Sequence, residues 1–297
     1  MRNVKIITDS CADLGGDLLE KYGIDYCQMS VIEDGKVSSA RLTWTKDEAH
    51  RLYDTIRGGK RITTAQTSAE EFTHIFTRYL EAGYDIVYIG CSSKQSGSVH
   101  TGQVVADKLL PGYPEARLYC IDSLNASLGE GMLAVEAAKL AMAGKDAEAI
   151  HDHILSVRKN VQQFATVHTL EHLRRSGRVS ASSAFFGNLV GVKPILIADV
   201  NGTQTPIKKV RGRQNSFREI VAQLKAQILS PEDQVIYVGH ADCDKAEVDA
   251  LVALVRQEIP CADVYVGMIG PIIGASVGPD TVGVWGFGKP VTYRAEV

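Results

Sequence analysis

The chain has 297 residues, of which 45% are hydrophobic and 23% charged, so it can bury a substantial core and is not intrinsically disordered. This length fits one large or two medium α/β domains. The formal net charge of −3, without a long basic run, argues against nucleic acid as the main partner.

Apolar runs alternate with amphipathic segments along the first half of the chain. Two helices are each predicted to open with a capping box, Thr45 with Glu48 and Thr67 with Glu70. In chain order the predicted elements are strand "NVKIIT", helices "TWTKDEAHRLYDTI" and "TSAEEFTHIFTRYLEAG", strand "DIVYIGCSS", helix "SVHTGQVVADKLL", strand "ARLYCIDS" and helix "GMLAVEAAKLAMAG". This order is typical of a largely parallel sheet with crossover helices.

A charged helix, "DAEAIHDHILSVRKNV", precedes a second series of elements, and we place a domain boundary near residue 160. The predicted series is strand "QFATVHT", helix "LEHLRRSG", apolar helix "ASSAFFGNLVGV", strands "PILIADV" and "TPIKKV", helix "SFREIVAQLKAQIL", strand "QVIYVGH", helix "AEVDALVALVRQEI" and strand "DVYVGMIG". Residues 1–160 are therefore predicted to form one α/β domain, and residues 161–297 a smaller one.

Small hydroxyl residues follow several predicted strands of the first half. They are Thr8 and Ser10, Ser92 and Ser93, Ser96 and Ser98, and Ser123. Ligands bind at the carboxyl ends of strands in open parallel sheets, and helix N-termini there favour anions. Helix capping alone also explains such residues. The pattern therefore leaves two interpretations open, a shared anion pocket and ordinary caps.

The cysteines and the amino terminus indicate the compartment. Six single cysteines form no C-x-x-C motif, and three lie in apolar runs, which favours free buried thiols in a reducing cytoplasm. The start "MRNVKIITDS" reads as a strand and not as a signal peptide, and no apolar stretch is as long as a membrane span. We expect a cytoplasmic protein without stable membrane insertion, and a monomer because no exposed apolar stripe is evident.

Three short motifs suggest catalysis or cofactors, and none is convincing. "GASVG" at 274–278 matches the nucleophile elbow G-x-S-x-G around Ser276, but the last histidine, His240, precedes it, so the required chain order fails. "HTLEH" places His168 and His172 four residues apart, yet no third metal ligand is marked. "GEGMLAV" is an incomplete dinucleotide motif. We predict no metal and no cofactor.

Eight stretches, in order over nearly the whole chain, together resemble the DegV family of bacterial fatty-acid-binding proteins. They are "TDSCADL", "TTAQTSAEEF", "SSKQSGSVHTG", "IDSLNASLGEG", "TLEHLRRSGRVS", "GVKPIL", "VRGR" and "GMIGPIIGASVGPD". The resemblance implies a two-domain α/β fold with the ligand cleft between the domains, and no catalysis by the protein alone. It implies a long-chain fatty acid as ligand and, as a possible partner, a separate kinase that phosphorylates the carboxylate with ATP.

The resemblance also implies a set of binding residues. The carboxylate contacts are expected at Thr64, Ser93, Ser96, Gly97 and Ser276. An apolar slot would hold the acyl tail. The candidates for the wall of this slot are Phe185, Phe186, Leu189, Val190, Ile195 and Leu196. Arg178 and Arg211 match family arginines used in surface contact with the kinase and, for Arg211, in help with phosphoryl transfer. A surface salt bridge would equally explain an arginine at either position.

Three residues depart from the family pattern near the expected head group. Ser276 stands where the family usually has a histidine, Ala65 where it has a serine, and Gln95 where it has a leucine. The apparent elbow at "GASVG" is then a ligand-site loop. Two alternatives to a fatty-acid carrier remain open: a binding protein for another small acidic or amphiphilic ligand, and a serine hydrolase or acyl transferase using Ser276 or Ser96.

Overall fold

The computed structural model describes residues 2–180 and 191–295. The strands of the first half are β1 (Val4–Asp9), β2 (Asp25–Cys27), β3 (Met29–Glu33), β4 (Lys36–Ala40), β5 (Ile62–Ala65), β6 (Asp85–Gly90) and β7 (Leu118–Asp122). Its helices are α1 (Gly16–Tyr22), α2 (Lys46–Arg57), α3 (Ala69–Glu81), α4 (Ser98–Leu109), α5 (Leu128–Met142) and α6 (Ala147–Val157).

The second half adds a further set of elements. Its strands are β8 (Val161–Thr166), β9 (Val192–Ala198), β10 (Gln204–Arg211), β11 (Val235–His240), β12 (Asp263–Met268) and β13 (Val282–Phe287). Its helices are α7 (Glu171–Ser176), α8 (Arg213–Gln227), α9 (Lys245–Glu258) and α10 (Pro271–Val277). No helix within the described ranges is both long and apolar enough to cross a membrane.

The predicted parallel sheet is confirmed. Strands β2-β1-β6-β7 pair in that order, and all their pairings are parallel. Every residue of β6 is buried, as expected for a central strand with helices on both faces. The amphipathic helix α3 covers one face, with Phe72, Ile75, Phe76 and Leu80 packed inward.

A small antiparallel sheet, β4-β3-β5, was not predicted. Strand β4 reads "KVSSA", four of its five residues are exposed, and no alternating apolar pattern marks it. This sheet carries Thr64 on β5. Strand β4 pairs with β3 as a hairpin, and β5 joins the other edge of β3 from about 30 residues further along the chain.

The second half forms a six-stranded sheet in the order β10-β9-β8-β13-β11-β12. Its pairings are antiparallel except for β11 with β12. The predicted turn at Asn201-Gly202 joins the antiparallel β9 and β10. All strands of this sheet lie after residue 160 and those of the other two sheets before it; the domain boundary itself stays a prediction.

Helix α5 joins the two halves of the molecule. Residues 128–135 are all buried, so the first two turns of this helix are enclosed on every side. It packs on β1 and β6 of the parallel sheet and also contacts β8, β11 and β13. Trp285 on β13 belongs to the same buried cluster as Leu128 and Leu133. The helix therefore fixes the distance between the two larger sheets.

One predicted cap is confirmed and the other is wrong. Thr45 and Glu48 form the reciprocal capping box of α2. Helix α3 is instead capped by Ser68, whose hydroxyl accepts from the Glu71 N–H. Thr67 is fully buried, and its N–H donates to the Ser98 hydroxyl, so it serves the packing of α4 and not the cap.

Tyr53→Phe tests the link between α2 and the segment that leads into α10. The fully buried Tyr53 hydroxyl donates to the Ile269 carbonyl over 2.6 Å. Its removal leaves that carbonyl without this donor, so we expect the free energy of unfolding to fall by about 1–3 kcal/mol in urea denaturation. The exposed Tyr293→Phe is the control and should change it little. Equal stability of the two variants would contradict this role.

Candidate functional site

A cavity of about 390 Å³ lies between the carboxyl end of the parallel sheet and the six-stranded sheet. The first half of the chain contributes Cys11, Met29, Thr64, Gln66, Cys91, Ser93, Lys94, Gln95, Ser96, Gly97, Ala126 and Ser127 to its lining. The second half contributes Gln163, Ala165, Val167, Leu173, Arg178, Leu196, Gln204, Ile269, Ile272, Ile273, Ser276, Val277, Thr281 and Trp285. Its walls are thus drawn from both halves of the chain.

All five predicted head-group residues line this cavity. Thr64 comes from β5, Ser93 and Ser96 from the loop after β6, Gly97 from the start of α4, and Ser276 from α10. The neighbouring hydroxyls Ser92 and Ser98 are fully buried and hold the loop, through Ser92 to the Lys94 N–H and Ser98 to the Thr67 N–H. The hydroxyl clusters therefore divide into residues that line the cavity and residues that hold the loop.

Gly97 permits a close approach that a larger residue would block. A Cβ at this position would lie 2.1 Å from Oε1 of Gln66, and the Gln66 amide donates to the Thr101 hydroxyl. The Ser96 hydroxyl bonds to that of Ser98 and accepts from the Ser98 N–H. Loop and helix α4 are thereby fixed at the edge of the cavity, where the Ser93 and Ser96 hydroxyls form part of its polar lining.

Asp13 joins three segments that enclose the cavity. Its Oδ1 accepts the Gly270 N–H over 2.8 Å and its Oδ2 accepts the Ser127 hydroxyl over 2.5 Å. Ser127 has φ +55°, an uncommon conformation for a non-glycine residue that costs roughly 1–3 kcal/mol. Sequence reasoning missed both residues, because neither a positive φ nor a contact across 114 residues leaves a local signal.

Two buried acids lie close to Cys11 and Cys91, which line the cavity. Asp9 accepts from the N–H groups of Cys11 and Cys91 and from the Tyr88 hydroxyl. Glu130 is fully buried and accepts the Thr8 hydroxyl. Burial raises the pKa of both carboxyls, that of Glu130 far above its usual range. Burial therefore favours the neutral form of both carboxyls beside the cavity.

The wall opposite the polar end is mainly apolar. Leu196 lines the cavity as predicted, together with Ala165, Val167 and Trp285. Ile195 lies elsewhere, in the core cluster with Phe217 and Ile220, because successive residues of β9 point to opposite faces. The remaining predicted tail residues lie outside the described residues; they are Phe185, Phe186, Leu189 and Val190.

A polar group interrupts this apolar wall. The Gln163 amide donates to Oε1 of Gln204 over 2.7 Å, and the Trp285 indole N–H donates to Oε1 of Gln163 over 3.4 Å. The three side chains are nearly buried and bond to one another. Much of their hydrogen-bonding capacity is therefore used within the group.

The two predicted partner arginines differ in position. Arg178 is exposed and lines the cavity, with its guanidinium donating to the Gln95 and Ser176 carbonyls. Arg211 is exposed at the end of β10 and is not among the residues that line the cavity. Among the described residues neither arginine forms an ion pair.

The two catalytic motifs do not form the sites they suggest. Ser276 lies in the last turn of helix α10, whereas an elbow needs a strand, a sharp turn and then a helix. His168 follows β8 and contacts Lys193, while His172 lies on α7, so the pair has no helical spacing. Within the described ranges, the groupings with metal-ligand spacing include neither histidine.

Two departures from the expected pattern also have defined positions. Gln95 lines the cavity, and its amide donates to the Gly202 carbonyl in the β9–β10 turn over 3.0 Å. It therefore ties the loop after β6 to the second half of the chain. Ala65 is exposed at the end of β5 and does not line the cavity.

Fold and cavity define a mixed α/β protein built around one inter-sheet cavity with a hydroxyl-rich end and an apolar wall. A family model described as "Uncharacterised protein, DegV family" matches residues 3–288. This chain belongs to the DegV family.

Relatives and solved structures match this chain over nearly its full length. A DegV domain-containing protein of Streptococcus pyogenes is 31% identical over 96% of this chain and 98% of its own length. A DegV domain-containing protein of Clostridium perfringens is 29% identical over 97% of this chain and 98% of its own length. A DegV lipid-binding protein of Thermotoga maritima superimposes with a TM-score of 0.84 at 26% identity, covering 98% of this chain and all of its own. A DegV family protein of Thermus thermophilus, described as binding fatty acid, has a TM-score of 0.86 at 27% identity, covering 97% and 100%.

The variant Asp13→Asn tests whether the buried Asp13 carboxyl makes the stability of the protein depend on pH. Burial raises the pKa of Asp13 from 3.8 to about 7. Between these values the folded protein retains a proton that the unfolded chain has released, so this contribution to stability is complete below about pH 4 and lost as the pH rises through 7. The variant cannot titrate there. We expect the unfolding free energy of the wild type, relative to the variant, to fall by on the order of a few kcal/mol over that range.

Urea denaturation at several pH values measures this difference. The exposed Asp233→Asn is the control for the loss of one surface carboxylate. A difference between wild type and Asp13→Asn that stays constant from acid to neutral pH would show that the Asp13 carboxyl is not perturbed in the folded protein.

Proposed function

We propose that this protein binds a long-chain fatty acid in the cavity, with the carboxylate at Thr64, Ser93, Ser96, Gly97 and Ser276. The observation that carries the proposal is that these five residues, from three separate parts of the chain, line one cavity together with the apolar side chains of Ala165, Val167, Leu196 and Trp285. Fatty acid binding described for the Thermus thermophilus relative supports it. The protein acts as a carrier in the cytoplasm, as a monomer and without catalysis of its own.

The physical requirements of such a ligand fit this cavity. Each methylene group removed from water contributes roughly 0.8 kcal/mol, so the acyl chain supplies most of the affinity. The carboxylate needs a few hydrogen-bond donors, which hydroxyl and backbone groups provide without the cost of burying a second charge. Ser276 is half-buried and lines both the cavity and a smaller pocket beside it, so a head group at Ser276 stays accessible.

We further propose that a separate ATP-dependent kinase acts on this accessible carboxylate. Arg178 lies beside the head-group end, and Arg211 is exposed on the same half of the chain. Both arginines are always charged, and neither pairs with a carboxylate among the described residues. They therefore suit contact with an acidic partner or a phosphate.

A different small amphiphile is the second candidate. The Gln163–Gln204 pair places polar atoms in the wall where a simple acyl chain needs none. A ligand with a polar group along its chain, such as a hydroxylated fatty acid, would match these atoms.

Mass spectrometry of the released ligand separates the two candidates. The protein is purified without detergent and denatured, and the extract is analysed for small molecules. We expect a stoichiometric long-chain fatty acid. A hydroxylated or otherwise polar amphiphile would favour the second candidate, and the absence of any lipid, with no uptake of added fatty acid, would contradict both.

The double variant Thr64→Ala/Ser96→Ala tests the head-group assignment. Each hydroxyl lost from an ionised partner costs about 1.5 kcal/mol or more, so we expect palmitate affinity to fall at least about 100-fold in calorimetry. The control is Thr73→Ala/Ser156→Ala, which removes two exposed hydroxyls bonded within their own helices. Unchanged palmitate affinity in the first variant would show that the carboxylate lies elsewhere.

A further inference from the structure

Three buried side chains that can ligate a metal ion come together at the carboxyl end of the parallel sheet. Cys11 lies in the loop after β1, Cys91 directly follows β6, and Glu130 lies in the first turn of α5. The two Sγ atoms and one carboxylate oxygen of Glu130 all lie within 4.8 Å of one another. None of the three residues is more than 2% exposed.

Hydrogen bonds hold these three residues in place from outside the cluster. Strands β1 and β6 are parallel neighbours, and the N–H groups of Cys11 and Cys91 both donate to the carboxyl of Asp9, over 2.8 and 3.2 Å. The Thr8 hydroxyl donates to Oε1 of Glu130 over 2.8 Å. Outer hydrogen bonds of this kind orient the ligands of metal sites in proteins.

The Glu130 carboxyl lacks a partner that its burial calls for. Its Oε2 is buried and has no hydrogen-bond partner in the described part of the chain. Burial raises the pKa of Glu130, and Asp9, Cys91 and Asp13 raise this pKa further. Buried carboxylates in proteins are paired with a cation or coordinate a metal. An ion between this carboxyl and the two thiols would supply the missing partner and the missing positive charge.

The ligand types indicate a divalent ion that prefers sulfur. Mg²⁺ and Ca²⁺ favour oxygen ligands, whereas Zn²⁺ takes Cys sulfur at about 2.3 Å and carboxylate oxygen at about 2.1 Å. Around a tetrahedral Zn²⁺ these ligand atoms are roughly 3.5–3.8 Å apart. Because the three atoms already lie within 4.8 Å of one another, small side-chain rotations would bring them to that spacing.

We propose that Cys11, Cys91 and Glu130 bind a Zn²⁺ ion, and that the two thiols and the carboxyl release their protons to solvent as it binds. Cys11 and Cys91 line the cavity, so the ion can enter from there, and a water molecule can complete the tetrahedron from the same side. The ion would link the loops after β1 and β6 to α5. This site goes beyond the proposed function and does not depend on it.

Calorimetry with Zn²⁺ alone tests the proposal on the full-length protein, stripped of metal and kept reduced with a phosphine. We expect one Zn²⁺ per chain, bound at least about 100-fold more tightly than Mg²⁺, with release of protons. Cys91→Ser should lower the affinity for Zn²⁺ at least about 100-fold and Glu130→Gln at least about 10-fold. Gln keeps the shape of the Glu130 side chain, and thermal melts without metal verify that both variants are folded.

Co²⁺ in place of Zn²⁺ reports the ligands directly. Thiolate ligation gives Co²⁺ an intense charge-transfer absorption in the near ultraviolet, which a site of oxygen and nitrogen ligands lacks. We expect this absorption in the wild type and its loss in Cys91→Ser. A Co²⁺ complex without thiolate absorption in the wild type would overturn the assignment of Cys11 and Cys91 as ligands.

His50→Ala is the matched control, because exposed His50 belongs to the other described grouping with metal-ligand spacing, with Asp54 and Asp242. It should leave the Zn²⁺ affinity unchanged. Zn²⁺ binding that is lost in His50→Ala but kept in Cys91→Ser and Glu130→Gln would assign the ion to the surface and overturn the proposal, as would equal affinity for Mg²⁺.

Myristate uptake by the same samples keeps the metal site and the proposed function apart. A protein that takes up myristate but binds no Zn²⁺ would overturn the metal site alone. A protein that binds Zn²⁺ through Cys91 and Glu130 but takes up no myristate would support the metal site and contradict the proposed function.

Discussion

The buried carboxyl of Asp13 holds together the elements that enclose the cavity. It receives hydrogen bonds from Ser127, at the start of the central helix α5, and from the N–H of Gly270, which begins α10. These two helices belong to opposite halves of the chain, and α10 carries Ser276 to the head-group end. A side chain from the loop after β1 thus determines where a residue more than 250 positions later meets the ligand cavity.

Charge is distributed so that burial and polarity do not conflict. The acids Asp9 and Glu130 are fully buried, and desolvation raises the pKa of both carboxyls. The cations that line a second pocket of about 110 Å³ beside the cavity, Lys60, Arg61, Arg175 and Arg178, are exposed, where their charge costs little desolvation. The positive charge therefore lies at the surface, on the side of the cavity that this pocket adjoins. This distribution would orient an amphiphile with its chain inward and its head toward the surface.

The sequence predicted the framework of the fold because local patterns encode it. Alternating apolar strands and amphipathic helices, such as β6 and α3, carry their own periodicity. Strand β4 does not, since its polar residues acquire strand structure by pairing with β3. The misplaced cap at Thr67 has a similar origin: tertiary burial against α4 overrides a capping motif that is locally adequate.

The candidate site shows the same division between local and long-range information. The hydroxyl residues Ser93 and Ser96 could be predicted, because they follow a recognisable strand at the edge where ligands bind. The Ser127 conformation and the contact of Gln95 with the β9–β10 turn depend on distant partners, so no local motif indicates them. Arg61 likewise could not be assigned to a pocket from the sequence, because β5 brings it close to α7 and α10 only in the folded chain.

Ser276 has a further consequence for the size of the head group. The resemblance to the family leads one to expect a histidine at this position, where the short serine side chain instead borders both the cavity and the second pocket. A histidine is supplied from another element: His172 of α7 lines the second pocket and packs on Gly278, where a Cβ would lie 2.3 Å from its ring. Burial lowers the pKa of His172, so its neutral ring adds a hydrogen-bonding group without charge. The short side chain of Ser276 leaves more room at the border of the cavity and the second pocket than a histidine at that position would.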